Sequence, residues 1–323
     1  MVYRANPFLE RMSERTADQE FLRLFSPSIL DRLHEDAFEG AVHLFTSPPG
    51  GGKTTLLRAF TPMALRTFWN ARSVQKIDET YQRLLNRRVL DETEGPQLLG
   101  VLLSCASGYA DLPPGASMIQ TGVFRALLDC RVVLRTLRSL ANLLGYPSME
   151  MLAEITLEYD GLERDLKSIP ITKFTLELVQ WAEEYERSVT AQLDSIITDD
   201  PSNLPGHVRF ESVLWLQSVK FVRDGKPVAP SRLLMLDDLH RMRKKQRSLL
   251  LEELVELRPA VPVWIAERSI ALGDKLISHG AREGRDLHHY PLEDMWAGSG
   301  GPAQFTKFAQ SILDRRLDVQ RAI

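Results

Sequence analysis

Cysteine is scarce in this sequence: Cys105 and Cys130 are the only two in 323 residues. Both stand in apolar surroundings and match no metal-ligand spacing. That excludes a disulfide framework and a cysteine-held zinc, and it favours reduced thiols in a cytoplasmic protein. An excess of one charge is also lacking. The 40 Lys and Arg residues face 43 Asp and Glu, for a formal net charge of −3. A general basic coat for nucleic acid is therefore absent, and only local patches remain. Long apolar runs are missing too. The longest mostly apolar stretch, Leu98 to Ala110, is too short to span a bilayer. The opening Met1-Val2-Tyr3-Arg4-Ala5-Asn6-Pro7-Phe8 has neither an apolar core nor a small-residue cleavage site. The expectation is a soluble chain of the cytoplasm with no membrane partner. There is no internal repeat, no low-complexity stretch and no Gly-x-Ser-x-Gly elbow. His288-His289 would point to opposite faces of a strand, so no metal cluster is suggested. What remains is an ordinary globular composition, 44% hydrophobic and 26% charged, with length for one large domain or two.

The stretch richest in chemistry runs Ala41-Val42-His43-Leu44-Phe45-Thr46-Ser47-Pro48-Pro49-Gly50-Gly51-Gly52-Lys53-Thr54-Thr55-Leu56-Leu57. An apolar run, a Pro/Gly turn and Gly-Lys-Thr opening an amphipathic helix give the strand, loop and helix order that phosphate binding requires. Glycines let the N–H groups of Gly50 to Thr54 converge on a phosphate. The helix adds the positive end of its dipole. Pro49, Gly50, Gly51, Gly52, Lys53, Thr54 and Thr55 are the candidate nucleotide-binding residues. Lys53 would reach the β- and γ-phosphates of ATP, and the Thr54 hydroxyl would ligate Mg²⁺. The pattern G-x-x-x-x-G-K-[ST] asks for glycine where Ser47 stands. A plain Gly-rich loop capping a helix is the alternative.

Residues 1–40 form a charged lead-in, with helices predicted at Ala17–Phe25 and Ser28–Ala37. Phe8, Phe25 and Leu30 are read as core, or else as contacts for a nucleotide base. Thr61-Pro62 has the form of an N-cap and first-turn pair, so the helix after the loop breaks and restarts there. A polar helical pattern covers 72–95, and Leu98 to Cys105 reads as a buried strand. A long helix follows from Thr121 to Leu144, stopped by Gly145. Arg131, Arg135 and Arg138 share one of its faces, as a solvated basic face or as a phosphate-backbone or subunit contact. Phe174, Leu178, Trp181, Tyr185, Val189 and Leu193 form an apolar helical stripe. Val213 to Val222 reads as a further amphipathic segment.

Arg232-Leu233-Leu234-Met235-Leu236-Asp237-Asp238-Leu239-His240 has the form of a buried parallel strand ending in carboxylates, where open α/β sheets bind ligands. Phosphoryl transfer needs the triphosphate held, a magnesium ion fixed and a water aligned. Asp237 is the candidate magnesium partner and Asp238 the candidate that polarises the attacking water. An Asp-Asp pair after a strand also serves as a plain helix N-cap. A basic helix from Arg241 to Leu257, a strand from Val261 to Ala266 and a last strand from Leu287 to Leu292 complete the pattern.

With these motifs the chain resembles P-loop ATPases of the AAA+ and STAND group, most closely the origin-recognition-like AAA ATPases. The resemblance runs from about Ala41 to Leu292 and implies a P-loop NTPase three-layer α/β sandwich. Its five-stranded parallel sheet would have the order 5-1-4-3-2. It implies domain limits of 1–40 for the lead-in, 41–292 for the ATPase domain and 293–323 for the start of a C-terminal helical region. It also implies roles. Lys53 and Thr54 match Walker A, and Asp237 with Asp238 match Walker B. Arg268, in Glu267-Arg268-Ser269, falls at the γ-phosphate sensor position. Arg285, with Arg282 in reserve, falls where an arginine finger reaches a neighbour's nucleotide. The function so implied is an ATP-binding, slowly hydrolysing switch governing self-association or a partner protein. Duplex DNA is one candidate partner, and a DNA transaction or bacterial antiviral defence the setting.

There are departures. Asp238 is one methylene shorter than the usual glutamate, which predicts slow or partner-dependent hydrolysis. About 125 residues separate the second strand from the third, far beyond the ~10–15 of an ordinary crossover. Residues 109–225 are therefore read as a mostly helical insertion. No lid domain is visible, and nothing resembles a stop signal at Ile323, as in a piece of a longer protein. A GTPase would need an aspartate that Thr172-Lys173-Phe174-Thr175 lacks. An ABC-type signature would precede the Asp-ending strand, whereas Ser299-Gly300-Gly301 follows it. A non-hydrolysing nucleotide-binding scaffold and a P-loop kinase remain as alternatives, as does DNA binding through Arg241, Arg243, Lys244, Lys245 and Arg247.

Overall fold

The computed structural model describes residues 18–106, 108–109, 118–161, 165–196, 207–268, 284, 286–294 and 301–321. The helices are α1 (Asp18–Leu24), α2 (Lys53–Arg58), α3 (Pro62–Asn70), α4 (Gln75–Asn86), α5 (Met118–Leu144), α6 (Thr175–Ile196), α7 (Ser212–Ser218), α8 (Lys244–Leu257) and α9 (Gly301–Arg321). The strands are β1 (Val42–Ser47), β2 (Leu90–Asp91), β3 (Gly95–Pro96), β4 (Leu98–Ser104), β5 (Thr156–Tyr159), β6 (Val219–Arg223), β7 (Lys226–Pro227), β8 (Ser231–Asp237), β9 (Val263–Arg268) and β10 (Leu287–Pro291).

Five strands make one parallel sheet in the order β10-β1-β9-β8-β4. Strands β4, β8 and β9 read as mostly apolar runs, with helices on both faces of the sheet, whereas the edge strand β10 is polar and only partly buried. The two-residue period of a strand sends alternate side chains to opposite faces. On β8, Leu233 and Met235 join the core with Phe60 and Phe68, while Leu234 and Leu236 join Leu127, Leu250 and Leu254 from α5 and α8. Trp264 of β9 is fully buried, and its indole N–H donates to Ala37 O at 2.7 Å. The chain is thus α/β, with a helical layer on each side of a parallel sheet.

Helix α2 lasts only six residues. Pro62 has no N–H to continue it, and the Thr61 hydroxyl donates to Arg58 O at 2.8 Å. Upstream, the single helix expected over 28–37 is instead two 3-10 turns, Pro27–Arg32 and Glu35–Phe38. Short turns leave carbonyls without intrahelical donors. Arg87 supplies them, donating to Leu30 O at 2.7 Å, Leu33 O at 2.8 Å and His34 O at 3.3 Å. Phe25 and Leu30 are core residues on this side, and Phe8 lies outside the described residues. The helix expected through 95 stops at Asn86. Arg88 turns left-handed (φ 57°) and β2 pairs with β3 as a hairpin.

Among the described residues of 109–225 helix predominates, in α5, α6 and α7, and an antiparallel sheet that the pattern did not indicate, β5-β6-β7, accompanies it. Val213 to Val222 is α7 followed directly by β6. Helix α7 is buried almost all round, so no polar face marks its end, and Val219, Phe221 and Val222 continue as strand. Phe174 leaves the expected core stripe and is 62% exposed. It precedes the first residue of α6 and bridges Thr156 through its backbone, whereas Leu178 and Val189 are buried. A polar network ties the insertion together. Asp129 of α5 accepts from His207 Nδ1 at 2.7 Å, Ser212 N at 2.9 Å and Glu211 N at 3.1 Å, and His207 Nε2 meets the Tyr185 hydroxyl at 2.8 Å. The Glu211 carboxylate in turn accepts the N–H groups of Lys167 and Ser168.

Candidate functional site

Strand β1 ends at Ser47 and delivers the loop to the C-terminal edge of the sheet. Pro49, Gly50, Gly51 and Gly52 are exposed there, and Lys53, Thr54 and Thr55 are half-buried in the first turn of α2. Gly50 and Gly52 both have φ of 84°, a region closed to most side chains. Gly51 is needed for a different reason: a Cβ there would lie 2.2 Å from Ser47 Oγ. The serine that replaces the motif's first glycine thus occupies space opened by the glycine four residues on. Lys53 Nζ donates to Ser47 Oγ at 2.6 Å, Ser47 O at 2.8 Å and Pro48 O at 3.3 Å. Burial lowers the Lys53 pKa, and the carboxylates of Asp237, Glu293 and Asp238 oppose that shift.

Strand β8, separated from β1 by β9, brings Asp237 to the same edge. Asp237 is 5% exposed. Its Oδ1 accepts the Asp238 N–H at 2.9 Å, and its carboxylate accepts the Thr54 hydroxyl. Burial raises the Asp237 pKa, Asp238 adds to that, and the Thr54 bond and Lys53 work against it. Asp238 adopts a left-handed turn (φ 58°, ψ 34°). That conformation is strained for a residue with a Cβ and is common at functional sites. It leaves the Asp238 side chain 41% exposed. Lys53, Thr54, Asp237 and Asp238 are therefore brought together.

Arg268 ends β9 in register with Ser47 and acts electrostatically on both Lys53 and His240. Its neighbour Glu267 points the other way. Glu267 is fully buried and paired with Arg247 at 2.7 Å, which takes Arg247 out of the basic face read from the sequence. Burial raises the Glu267 pKa, and Arg247 opposes the rise. Arg285, like the reserve Arg282, lies outside the described residues.

Two residues join this site that motif reading did not select. Glu293, just past β10, acts on Lys53 through space. His240 is the other. Both its ring nitrogens are buried without a hydrogen-bond partner among the described residues, as is Glu267 Oε2. Asp238 Oδ1 stands 3.9 Å from His240 Nδ1, beyond hydrogen-bond reach. Burial lowers the His240 pKa and Arg268 lowers it further. The only sequence signal for His240 is its place three residues after Asp237.

Among the described residues no group of three or more His, Cys, Asp or Glu could hold a metal ion, and no helix is long and apolar enough to cross a membrane. Comparison with protein-family models, with curated proteins and with solved structures finds no match. Function is therefore inferred from the chemistry of these residues alone.

Proposed function

We propose that the chain is a P-loop ATPase of the AAA+/STAND type, a switch whose nucleotide state governs self-association or a partner. One observation carries the reading. The Lys53 amine, the Thr54 hydroxyl and the Asp237 carboxylate, from segments far apart in sequence, converge at the C-terminal edge of a parallel sheet. The five-stranded parallel sheet flanked by helices supports it.

The residues suit a magnesium nucleotide. Phosphate oxygens would take over the bonds that Lys53 makes to its own loop. Thr54 and Asp237 offer the hard oxygen donors Mg²⁺ prefers, and one carboxylate with a hydroxyl and phosphates suffices for that ion, so no all-protein cage is needed. Bound Mg²⁺ would neutralise phosphate charge. Asp238 orients the attacking water, and Arg268 and His240 supply donors toward the terminal phosphate. Exposed Phe305, Leu313 and Leu317 on α9 offer apolar surface for self-association or a partner. Arg241, Arg243, Lys244 and Lys245 are exposed at the start of α8 and supply a DNA-facing patch. The short carboxylate of Asp238, in a strained and half-open turn, favours one second reading, a nucleotide-binding scaffold that does not hydrolyse.

Steady-state phosphate release from ATP, with and without duplex DNA at two salt concentrations, is the test. Lys53→Ala and Asp238→Ala are each expected to lower turnover by about 10²–10⁴-fold. Unchanged turnover in Lys53→Ala overturns the enzyme reading, and ATP binding without turnover in the parent chain selects the scaffold. Stimulation by DNA that fades with salt supports the basic patch.

A further inference from the structure

Away from the loop, α5 presents Arg131, Arg135 and Arg138 beside the C-terminal end of the edge strand β4. A cleft of about 320 Å³ opens there, lined also by Leu103, Ser104, Tyr109, Leu134 and Glu186, whose carboxylate is taken up by Arg131. Arg131 is engaged: its Nε donates to Glu186 Oε1 at 2.8 Å, and its guanidinium lies 4.6 Å over the Tyr109 ring. Arg135 is anchored but unsatisfied. Its Nε donates to Leu102 O at 2.7 Å, and its two Nη groups meet no acceptor among the described residues. Arg138 makes no hydrogen bond or ion pair among them. Arg135 and Arg138 carry like charges one helical turn apart, and neither has an ion-pair partner among the described residues. An anchored planar fork with free N–H groups matches the oxygens of a phosphate.

We infer that this cleft binds a small phosphorylated ligand, with its phosphate on Arg135 and Arg138 and its less polar body against Leu103 and Leu134. Size selects the small ligand. The volume stands at the low end of small-molecule pockets and suits a single nucleotide-sized molecule rather than a duplex. The cleft is also wired to the first site. Ser104 lies in register with Asp237, and the Cys105 N–H donates to Asp237 O at 2.8 Å. If the ATPase reading holds, on which this coupling alone rests, ligand in the cleft modulates turnover through the Asp237 backbone.

The test is calorimetric titration of the full chain with inorganic pyrophosphate, and separately with a single-stranded oligonucleotide. The variants are Lys53→Ala, the double Arg135→Ala/Arg138→Ala, and the triple combination. In the Lys53→Ala background the cleft is expected to retain pyrophosphate binding. Adding the two arginine substitutions should weaken that binding at least tenfold, with little change in melting temperature, because both side chains are exposed and only one surface hydrogen bond, to Leu102 O, is given up. Loss of all binding in Lys53→Ala alone overturns the cleft and leaves the loop as the phosphate site. Binding untouched by the arginine pair also overturns it. No pyrophosphate binding to the parent chain overturns the cleft, while ATP turnover, measured separately, decides the loop. Oligonucleotide binding that needs the arginines while pyrophosphate fails to compete makes the face a backbone reader, and the small-ligand assignment falls.

Discussion

Two buried polar clusters in this molecule are built by opposite rules. In the insertion, both oxygens of Asp129, both ring nitrogens of His207 and the Tyr185 hydroxyl have partners, as do both oxygens of Glu211. At the sheet edge, both ring nitrogens of His240 and Glu267 Oε2 have none among the described residues, and Asp238 is held in a left-handed turn. An unsatisfied buried polar group costs about 1–3 kcal/mol. The contrast is between a cluster whose polar atoms satisfy one another and groups whose polar atoms have no partner among the described residues.

The strongest way to break this contrast is to cut the satisfied cluster. Asp129→Ala strands the His207 ring and two backbone N–H groups. It is expected to lower stability by roughly 3–5 kcal/mol, read by urea unfolding, while turnover per folded molecule stays near that of the parent. A stable Asp129→Ala chain with impaired turnover would move this network into the active machinery.

His43, in β1 just before the loop, sharpens the comparison, since it is buried yet satisfied. Its ring nitrogens lie 3.3 Å from Glu39 O and 3.4 Å from the Tyr290 hydroxyl. Burial lowers its pKa from 6.5 to about 4, with the Glu39 carbonyl opposing and the ring of His288, stacked at 5.0 Å, adding to the fall. Between those values the unfolded chain takes up a proton that the folded chain refuses. The His43 contribution is therefore intact above about pH 6.5 and is lost as pH falls toward 4, by up to roughly 3 kcal/mol. Urea titrations across that window should show a shallower slope in His43→Gln, and an unchanged slope would clear His43 of the effect.

The smallest effect belongs to His240. With no hydrogen-bond partner to lose among the described residues, His240→Ala should leave the urea midpoint unchanged or slightly raised. ATP turnover should drop about 10–100-fold with little change in ATP affinity, a kcat rather than a KM effect. A destabilised His240→Ala chain with normal turnover would place this ring in the scaffold class.

How much of this was legible follows from how far apart the deciding groups lie. The central strands could be read because they are covered on both faces, which demands unbroken apolar runs such as Leu233–Leu236 and Val263–Ala266. The antiparallel sheet could not. Strand β5 is four residues long with alternating exposure, and β6, its partner, follows a buried helix without a polar break. The stripe on α6 was read one residue too far, because Phe174 shares the period but not the helix. In the site, Lys53, Thr54, Asp237 and Asp238 carried a spacing signal. His240 and Glu293 carried none, since each matters only through what surrounds it.

By itself the sequence determined the local features: the apolar runs, the glycines of the loop with their left-handed backbone, the helix break at Pro62 and the carboxylates closing a strand. These follow from backbone sterics and side-chain period, which act between near neighbours. Only the tertiary structure decided that Thr54 meets Asp237 across β9, that Arg247 turns inward to Glu267, and that His240 and Arg135 have donors or acceptors unmet among the described residues. Hydrogen bonding and charge pairing depend on distance in space, and that distance is fixed by strand order and packing rather than by position along the chain.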